Sequence, residues 1–462
     1  MPEPTAALTA EILEELRTQP DALIAIILQQ AQVIAECRAQ IAQLEARVAE
    51  LEKQNRPPAA PFRRKEKEKT ASPKKPGRPA GHEGSFRARP EQCDEQIEVL
   101  LGEACPSCGE KLCQRQALEQ TIVELPVVRP HLTRLVTWRA YCRHCQREVR
   151  SSHPRQVSTA TGAAGTHLGA RALGVACALK HQAGLSMAKT AAVLRELCGL
   201  KITAGGLAQA FQRVAARLAK DYEQLRTDLV QSAFIHTDET SWWVGGPKAS
   251  LWVFCHAQST FYRVVESRDR STFYEVVPAD WPGVLVSDCL AVYDGATVLQ
   301  HKCYAHHLKA VSAAAEAGAP QGPRDFLTLC RHLLHHAMEL KPQFDALEEH
   351  QRGAKRRGLH AAAQALLGQA RADPREEAVR QRLHKQLDHL FTFLDYPQVE
   401  ATNNLAERQL RPAVIARKIS CGQRTRAGAD AWQVLSSLAA TCRQRAQSFV
   451  ELVAAKMAFA AR

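Results

Sequence analysis

At 462 residues the chain is longer than one hydrophobic core commonly supports, and its 45% apolar content can build several, which excludes an intrinsically disordered protein. Lys and Arg outnumber Asp and Glu by 61 to 48, a formal charge of +13 that favours a polyanionic partner, nucleic acid first, although a generally basic soluble enzyme has the same balance. The longest early apolar run, residues 22–28, is far short of the roughly 20 residues of a membrane span and follows acidic residues, unlike a secretory leader; the expected place is the cytoplasm, associated with the nucleoid, where 15 cysteines stand as reduced thiols or metal ligands.

From Ile27 onward apolar residues recur in alternating steps of three and four. Ile27, Ile34, Ile41 and Val48 share one heptad position and Cys37, Leu44 and Leu51 the other, with a single break at Gln30. The pattern predicts a coiled-coil helix within residues 1–55, and β-branched residues at a with Leu at d favour a parallel pair, hence a homo-oligomer, a dimer first. A helix packed on its own domain is the other reading. Pro57 and Pro58 stop the helix, and residues 56–92 read as a basic disordered linker with little to bury. Within it Lys74 and Lys75 precede Pro76-Gly77-Arg78-Pro79, which resembles an AT-hook core whose extended Arg enters an A·T-rich minor groove; nonspecific attraction to phosphates explains the same residues.

Residues 93–155 hold two CxxC pairs, Cys105 with Cys108 and, 34 residues on, Cys142 with Cys145, separated by β-type stretches at 122–128 and 132–138. Two such knuckles around a hairpin read as a zinc ribbon, in which four thiolates close one structural Zn²⁺ site; unmetallated thiols are the alternative. Residues 156–230 are helical in pattern. Ser186 to Leu197, a turn, then Ala204 to Leu218 resemble a helix-turn-helix whose second helix would offer Gln209, Gln212 and Arg213 to a major groove.

From residue 231 the texture changes to strands. Ala233 to His236 runs into Asp238, a hairpin spans Ser250–His256 and Phe261–Glu266, a helix follows at Ser271–Val277, and residues 283–287 form a short buried strand ending at Asp288. That order, with both acids expected at strand ends, is the order of an RNase H-like sheet. A later helix supplies a third acid in Thr402-Asn-Asn-Leu-Ala-Glu-Arg408: Thr402 or Asn403 can cap it, Pro412 should end or kink it, and Asn403 and Asn404 lie four and three residues before Glu407. Three carboxylates can hold two Mg²⁺ or Mn²⁺ ions, which activate an attacking water or 3′-hydroxyl and neutralise a leaving oxygen. Glu239, Asp294 and Glu400 are rival acids.

The motifs His236-Thr-Asp-Glu-Thr240, Val286-Ser-Asp288 and Thr402 to Arg408, with the heptads, the Gly-Arg-Pro linker and the CxxC pairs, resemble the insertion sequence 66 group of bacterial DDE transposases over nearly the whole chain. The resemblance implies a multidomain α/β protein, with coiled coil, zinc ribbon and helix-turn-helix ahead of an RNase H-like catalytic domain (231–462) that carries a helical insertion at about 320–395. It implies Asp238, Asp288 and Glu407 as metal-binding catalytic acids and a supporting role for Cys303 and His306 of a CxxH element, where zinc ligation is the less favoured reading because only two ligands are evident. It also implies a basic segment with Arg417 and Lys418 toward DNA phosphates. The expected partners are double-stranded DNA at element ends and target, a second copy of the chain, and companion proteins of the same element. Leu185-Ser-Met-Ala-Lys189 departs from the family pattern in the helical region. A noncatalytic DNA-binding protein and a metal-dependent nuclease that never joins strands are the competing readings.

Overall fold

The computed structural model describes residues 32–41, 43–44, 87–114, 116–162, 165–319, 322, 325–344 and 346–458. Lys74, Lys75 and Arg78, with most of the expected coiled coil and linker, lie outside them. The described stretch of the heptad segment, 32–41 and 43–44, is helical, and Ile34, Ile41 and Leu44 on it are at least half exposed. Among the described residues no helix is long and apolar enough to cross a membrane.

The chain divides into two units, Met1–Thr121 and Ile122–Arg462. In the first, the chain turns back at Cys105, where the Gly109 amide donates to the Cys105 carbonyl at 2.9 Å and Ala104 bridges Lys111. The second opens with a hairpin, β1 (Arg139–Cys142) against β2 (Arg147–Arg150). The stretches 122–128 and 132–138, which read as strands, form none: Ile122, Leu125, Val127 and Leu132 are exposed and no neighbouring strand pairs with them. β-propensity measures fit to a packed sheet surface, and it fixes nothing where that surface is absent.

Four helices follow: α1 (Ala170–His181), α2 (Met187–Cys198), α3 (Ala204–Arg217) and α4 (Ala219–Val230). Ser186 and Thr203 cap α2 and α3 by accepting from the Lys189 and Gly206 amides, and Gly199 ends α2 at φ +63, where a residue without Cβ is least strained. α3 buries Leu207, Ala210, Phe211 and Val214, and its opposite face leaves Gln209, Gln212 and Arg213 exposed.

Beyond α4 lies a five-stranded mixed sheet in the order β5-β4-β3-β6-β7. β3 (Phe234–Trp243), β4 (Lys248–His256) and β5 (Ser259–Val265) form an antiparallel meander; β6 (Val284–Ser287) and β7 (Leu299–Lys302) add parallel to β3 on its other side, after helix α5 (Arg270–Val276). The outer edge of β5 is closed by side chains. The Thr260, Tyr262 and Val264 amides donate to Thr441 Oγ1, Ser437 Oγ and Gln433 Oε1 of the buried helix α12 described below, which satisfies an edge that would otherwise be open. After β7 come α6 (Tyr304–Glu316), α7 (Phe326–Phe344), α8 (Glu349–Leu367), α9 (Pro374–Lys385) and α10 (Leu387–Leu390), which with β6 share a core of Val284, Leu334, Ala363, Phe391 and Phe393. The chain then returns to the sheet as α11 (Asn404–Ser420), α12 (Arg426–Gln444) and α13 (Phe449–Met457).

Candidate active site

The parallel pairing of β3 and β6 keeps one offset: Phe234 faces Val284, Ile235 Leu285 and His236 Val286. Two residues further, the same offset sets Asp238 level with Asp288, the first residue past β6. Asp238 is therefore not at a strand end as its sequence suggested. β3 runs on because β4 continues to pair with it through Asp238 and on to Trp243.

Glu407 arrives from α11, and Asn403 decides where that helix begins. Asn403 is completely buried; its Nδ2 donates to the Thr237 carbonyl at 2.7 Å and its Oδ1 lies 3.0 Å from His236 Nδ1, while its amide donates to Cys303 Sγ at 3.1 Å. Since Nδ2 donates, Oδ1 accepts, which sets His236 in the Nδ1–H form. Burial holds that imidazole down to about 4, so it is neutral near pH 7. Asn403 thus occupies the cap position but spends its side chain on β3, one residue before Asp238, and α11 has no side-chain cap bond. Nor does Pro412 stop the helix, which continues to Ser420. Leu410 and Ala413 are packed against the sheet around the proline, and Arg417 ties the last turns to β3 through Thr240 Oγ1 at 2.8 Å and Ser241 Oγ at 2.7 Å. Arg417, expected to face phosphates, is thereby turned onto the protein, whereas Lys418 is exposed.

Asp288 and Glu407 lie within electrostatic range of Asp238. Asp238 is half-buried, and its carboxyl is pushed up to about 7, first by burial, then by the charge of Asp288 and then by that of Glu407. Its Oδ1 accepts from the Glu239 amide at 2.8 Å, and Asp288 Oδ1 accepts from the Leu290 amide at 3.0 Å. Glu407 is more open, its side chain 44% exposed. Asn404 is exposed on the first turn of α11. The rival acids are otherwise engaged: Glu239 pairs with Arg268 with its side chain only 5% exposed, and Asp294 Oδ2 takes Lys385 at 2.7 Å. Burial raises Asp294, but Lys385 and Gln386 outweigh it and hold the carboxyl below the usual range. Glu400 is exposed at the surface.

Sequence reading missed Lys302. It is fully buried on β7, donates to Ser287 Oγ at 3.0 Å beside Asp288, and lies 5.0 Å from the Tyr293 ring centroid. Burial lowers its ammonium to about 8, with the negative charge of Asp294 and Asp288 acting the other way. Cys303, also buried, stands at the start of α6, and His306 Nδ1 is 3.9 Å from Glu407 Oε1.

The hard oxygen donors at Asp238, Asp288 and Glu407, mutually repulsive as they stand, suit Mg²⁺ or Mn²⁺. In each CxxC turn the first thiol faces backbone N–H groups of the turn. Backbone N–H groups of Ser107 and Cys108 lower the Cys105 thiol, and those of Cys145 and His144 lower the Cys142 thiol.

No curated protein sequence matches the chain. A family model described as Transposase IS66 family matches residues 165–431, more than half of the 462, a span that includes Asp238, Asp288, Glu407, Cys303 and His306. The chain therefore belongs to the transposase IS66 family.

Proposed function

We propose that this transposase binds the ends of a bacterial insertion sequence and cleaves and joins DNA strands there, with Asp238, Asp288 and Glu407 as its metal-binding catalytic acids. The observation that carries the reading is the placement of the acids: the β3–β6 register sets Asp238 level with Asp288, and Asn403, bonded to β3 beside Asp238, begins the helix of Glu407. Their mutual charge, which with burial raises the Asp238 carboxyl, is what a bound cation would offset. The sheet order, with an antiparallel meander, two parallel strands and acids on β3, after β6 and on a returning helix, supports an RNase H-like core with a helical insertion.

Two divalent ions bound there would supply charge neutralisation at the attacking and leaving oxygens of phosphoryl transfer. The protein's own part is positional. Asp238 gives up its proton as the site fills, and Asn403 holds the start of α11, hence Glu407, against the strand that carries Asp238. Lys302 places positive charge behind Asp288. Lys418, the exposed Gln209, Gln212 and Arg213 of α3, and the linker residues Lys74, Lys75 and Arg78 are the proposed DNA contacts. Cys105, Cys108, Cys142 and Cys145 are the proposed ligands of one structural Zn²⁺, and the exposed isoleucines of the heptad helix are the proposed seam of a dimer.

The test is Asp288→Asn and Glu407→Gln on Mg²⁺-dependent cleavage and joining of DNA carrying the element ends. Each is expected to lower both steps by several orders of magnitude while end binding survives. Near-normal joining by Asp288→Asn overturns the assignment, and cleavage without any joined product in the wild type supports the nuclease reading instead.

A further inference from the structure

Cys303 and His306 flank the first turn of α6, and Asn403, the residue before the helix that carries Glu407, donates its amide to Cys303. One donor atom from each of the three residues lies within 4.8 Å of the other two. The sequence shows only the cysteine and the histidine; the fold brings the third donor from 101 positions beyond His306.

The local chemistry is specific. Cys303 Sγ accepts the Asn403 amide at 3.1 Å, and the His306 amide donates to the Cys303 carbonyl at 3.2 Å, which closes the turn between the two side chains. His306 Nδ1 is shielded from solvent and has no hydrogen-bond partner, although 3.9 Å from Glu407 Oε1. Tetrahedral coordination at the usual Zn–S, Zn–N and Zn–O lengths puts donors about 3.3–3.6 Å apart, so a closure of a few tenths of an ångström brings nitrogen and oxygen to ligand separation.

The geometry points to a second metal site in the catalytic domain, Cys303 Sγ, His306 Nδ1 and Glu407 Oε1, that takes a soft divalent ion such as Zn²⁺ and leaves a fourth position to solvent. A thiolate and an imidazole exclude Mg²⁺ as the resident ion, since it takes oxygen ligands. Binding forms a sulfur–metal bond, breaks the S–H bond of Cys303 and releases that proton to solvent, with no change of oxidation state. Glu407 belongs to both donor sets, so an ion held by Cys303 and His306 draws it away from Asp238 and Asp288. Zinc is then an inhibitor of the Mg²⁺-dependent reaction, a consequence that rests on the catalytic role proposed for Glu407, whereas the site itself does not.

The experiment is zinc titration of the full-length protein with metal analysis after gel filtration, in parallel with Co²⁺ absorption spectra. Wild type is expected to hold one more equivalent of Zn²⁺ than Cys303→Ser or His306→Gln, and the Co²⁺ difference spectrum between wild type and Cys303→Ser to contain a sulfur-to-metal charge-transfer band. Serine still accepts the Asn403 amide, so an unchanged circular dichroism spectrum separates loss of a ligand from loss of fold, and His306→Gln tests the site with the sulfur in place. Equal zinc content in all three proteins, or a flat difference spectrum, overturns the site. Zinc is also expected to inhibit Mg²⁺-supported cleavage at least tenfold more strongly in wild type than in Cys303→Ser, each measured against its own uninhibited rate. If the extra equivalent binds and cleavage is indifferent to it, the metal site stands and the catalytic assignment of Glu407 falls.

Discussion

Replacing Asp238 by Asn makes a pH-dependent change in stability whose sign is set by the three-acid cluster. In an unfolded chain an aspartate titrates near 3.9, and in the fold Asp238 titrates at about 7, raised by burial and then by Asp288 and Glu407. A carboxyl raised by folding stabilises below its unfolded value, and that contribution is lost as pH rises through about 7. At about 1.36 kcal/mol per pH unit the difference amounts to about 4 kcal/mol, which solvent screening at a half-buried group reduces to roughly 2–4 kcal/mol. Asn keeps an oxygen for the Glu239 amide and has no charge to lose. Metal-free Asp238→Asn should therefore come closest to wild type near pH 4 and exceed it by a margin that grows until about pH 8.5, where it reaches roughly 5–15 °C in the midpoint for a domain of this size. Thermal unfolding in chelator across that pH range is the assay. Mg²⁺ at pH 8.5 should raise the midpoint of wild type and leave the variant nearly unmoved. A gap that is constant with pH, or a variant less stable at pH 8.5, refutes the electrostatic account of the site.

Glu239→Gln should act on stability rather than chemistry: it breaks the pair with Arg268 at a carboxylate only 5% exposed, at about 1–3 kcal/mol, and lowers cleavage far less than Asp288→Asn. Melting and cleavage assays on one preparation separate the two effects. Cys105→Ser with Cys142→Ser should reduce bound zinc by one equivalent per chain, and unchanged metal content counts against the ribbon. Replacing Lys74, Lys75 and Arg78 by Ala should flatten the log–log salt dependence of DNA binding by about 2–3, three phosphates at about 0.9 each, whereas Arg417→Ala should leave that slope alone because its guanidinium is spent on Thr240 and Ser241.

Much of this site is legible in the sequence because acids carry their chemistry with them and their flanking strands are apolar. Residues 284–287 are fully buried and read as a strand, and Asp288 follows directly. β7 escapes the same reading. Gln300, His301 and Lys302 are all buried, and no apolar period marks them, because their partners, the Tyr293 carbonyl, the Ala401 carbonyl and Ser287 Oγ, come from other segments. The same limit hides Asn403, which reads as a helix cap until β3 is present to receive its amide, and Ser437 and Gln433, polar residues on a helix that is buried because it closes a sheet edge. Hydrophobic periodicity reports burial of apolar groups; it is blind to buried polar groups whose partners are far away in sequence. Pro412 fails in the opposite way, as a local breaker overridden by tertiary packing.

The Tyr304 amide donates to the Ala401 carbonyl at 2.9 Å, His301 Nε2 lies 3.1 Å from that carbonyl, and Cys303 Sγ takes the Asn403 amide. Nearly a hundred residues, which include the expected insertion at about 320–395, thus leave and rejoin the core through one stapled doorway. Loop-closure entropy grows only logarithmically with length, so each doubling of the chain between such ends costs about 0.6 kcal/mol. Glu407 is consequently placed by the two ends of that segment rather than by its middle, with His306 near its start 3.9 Å away. The helices between are still part of the core, packed on Val284 and Val286 of β6 and reaching Asp294 through Lys385, so changes of length in their connecting turns that keep those contacts and the doorway are the ones expected to leave the third acid in place.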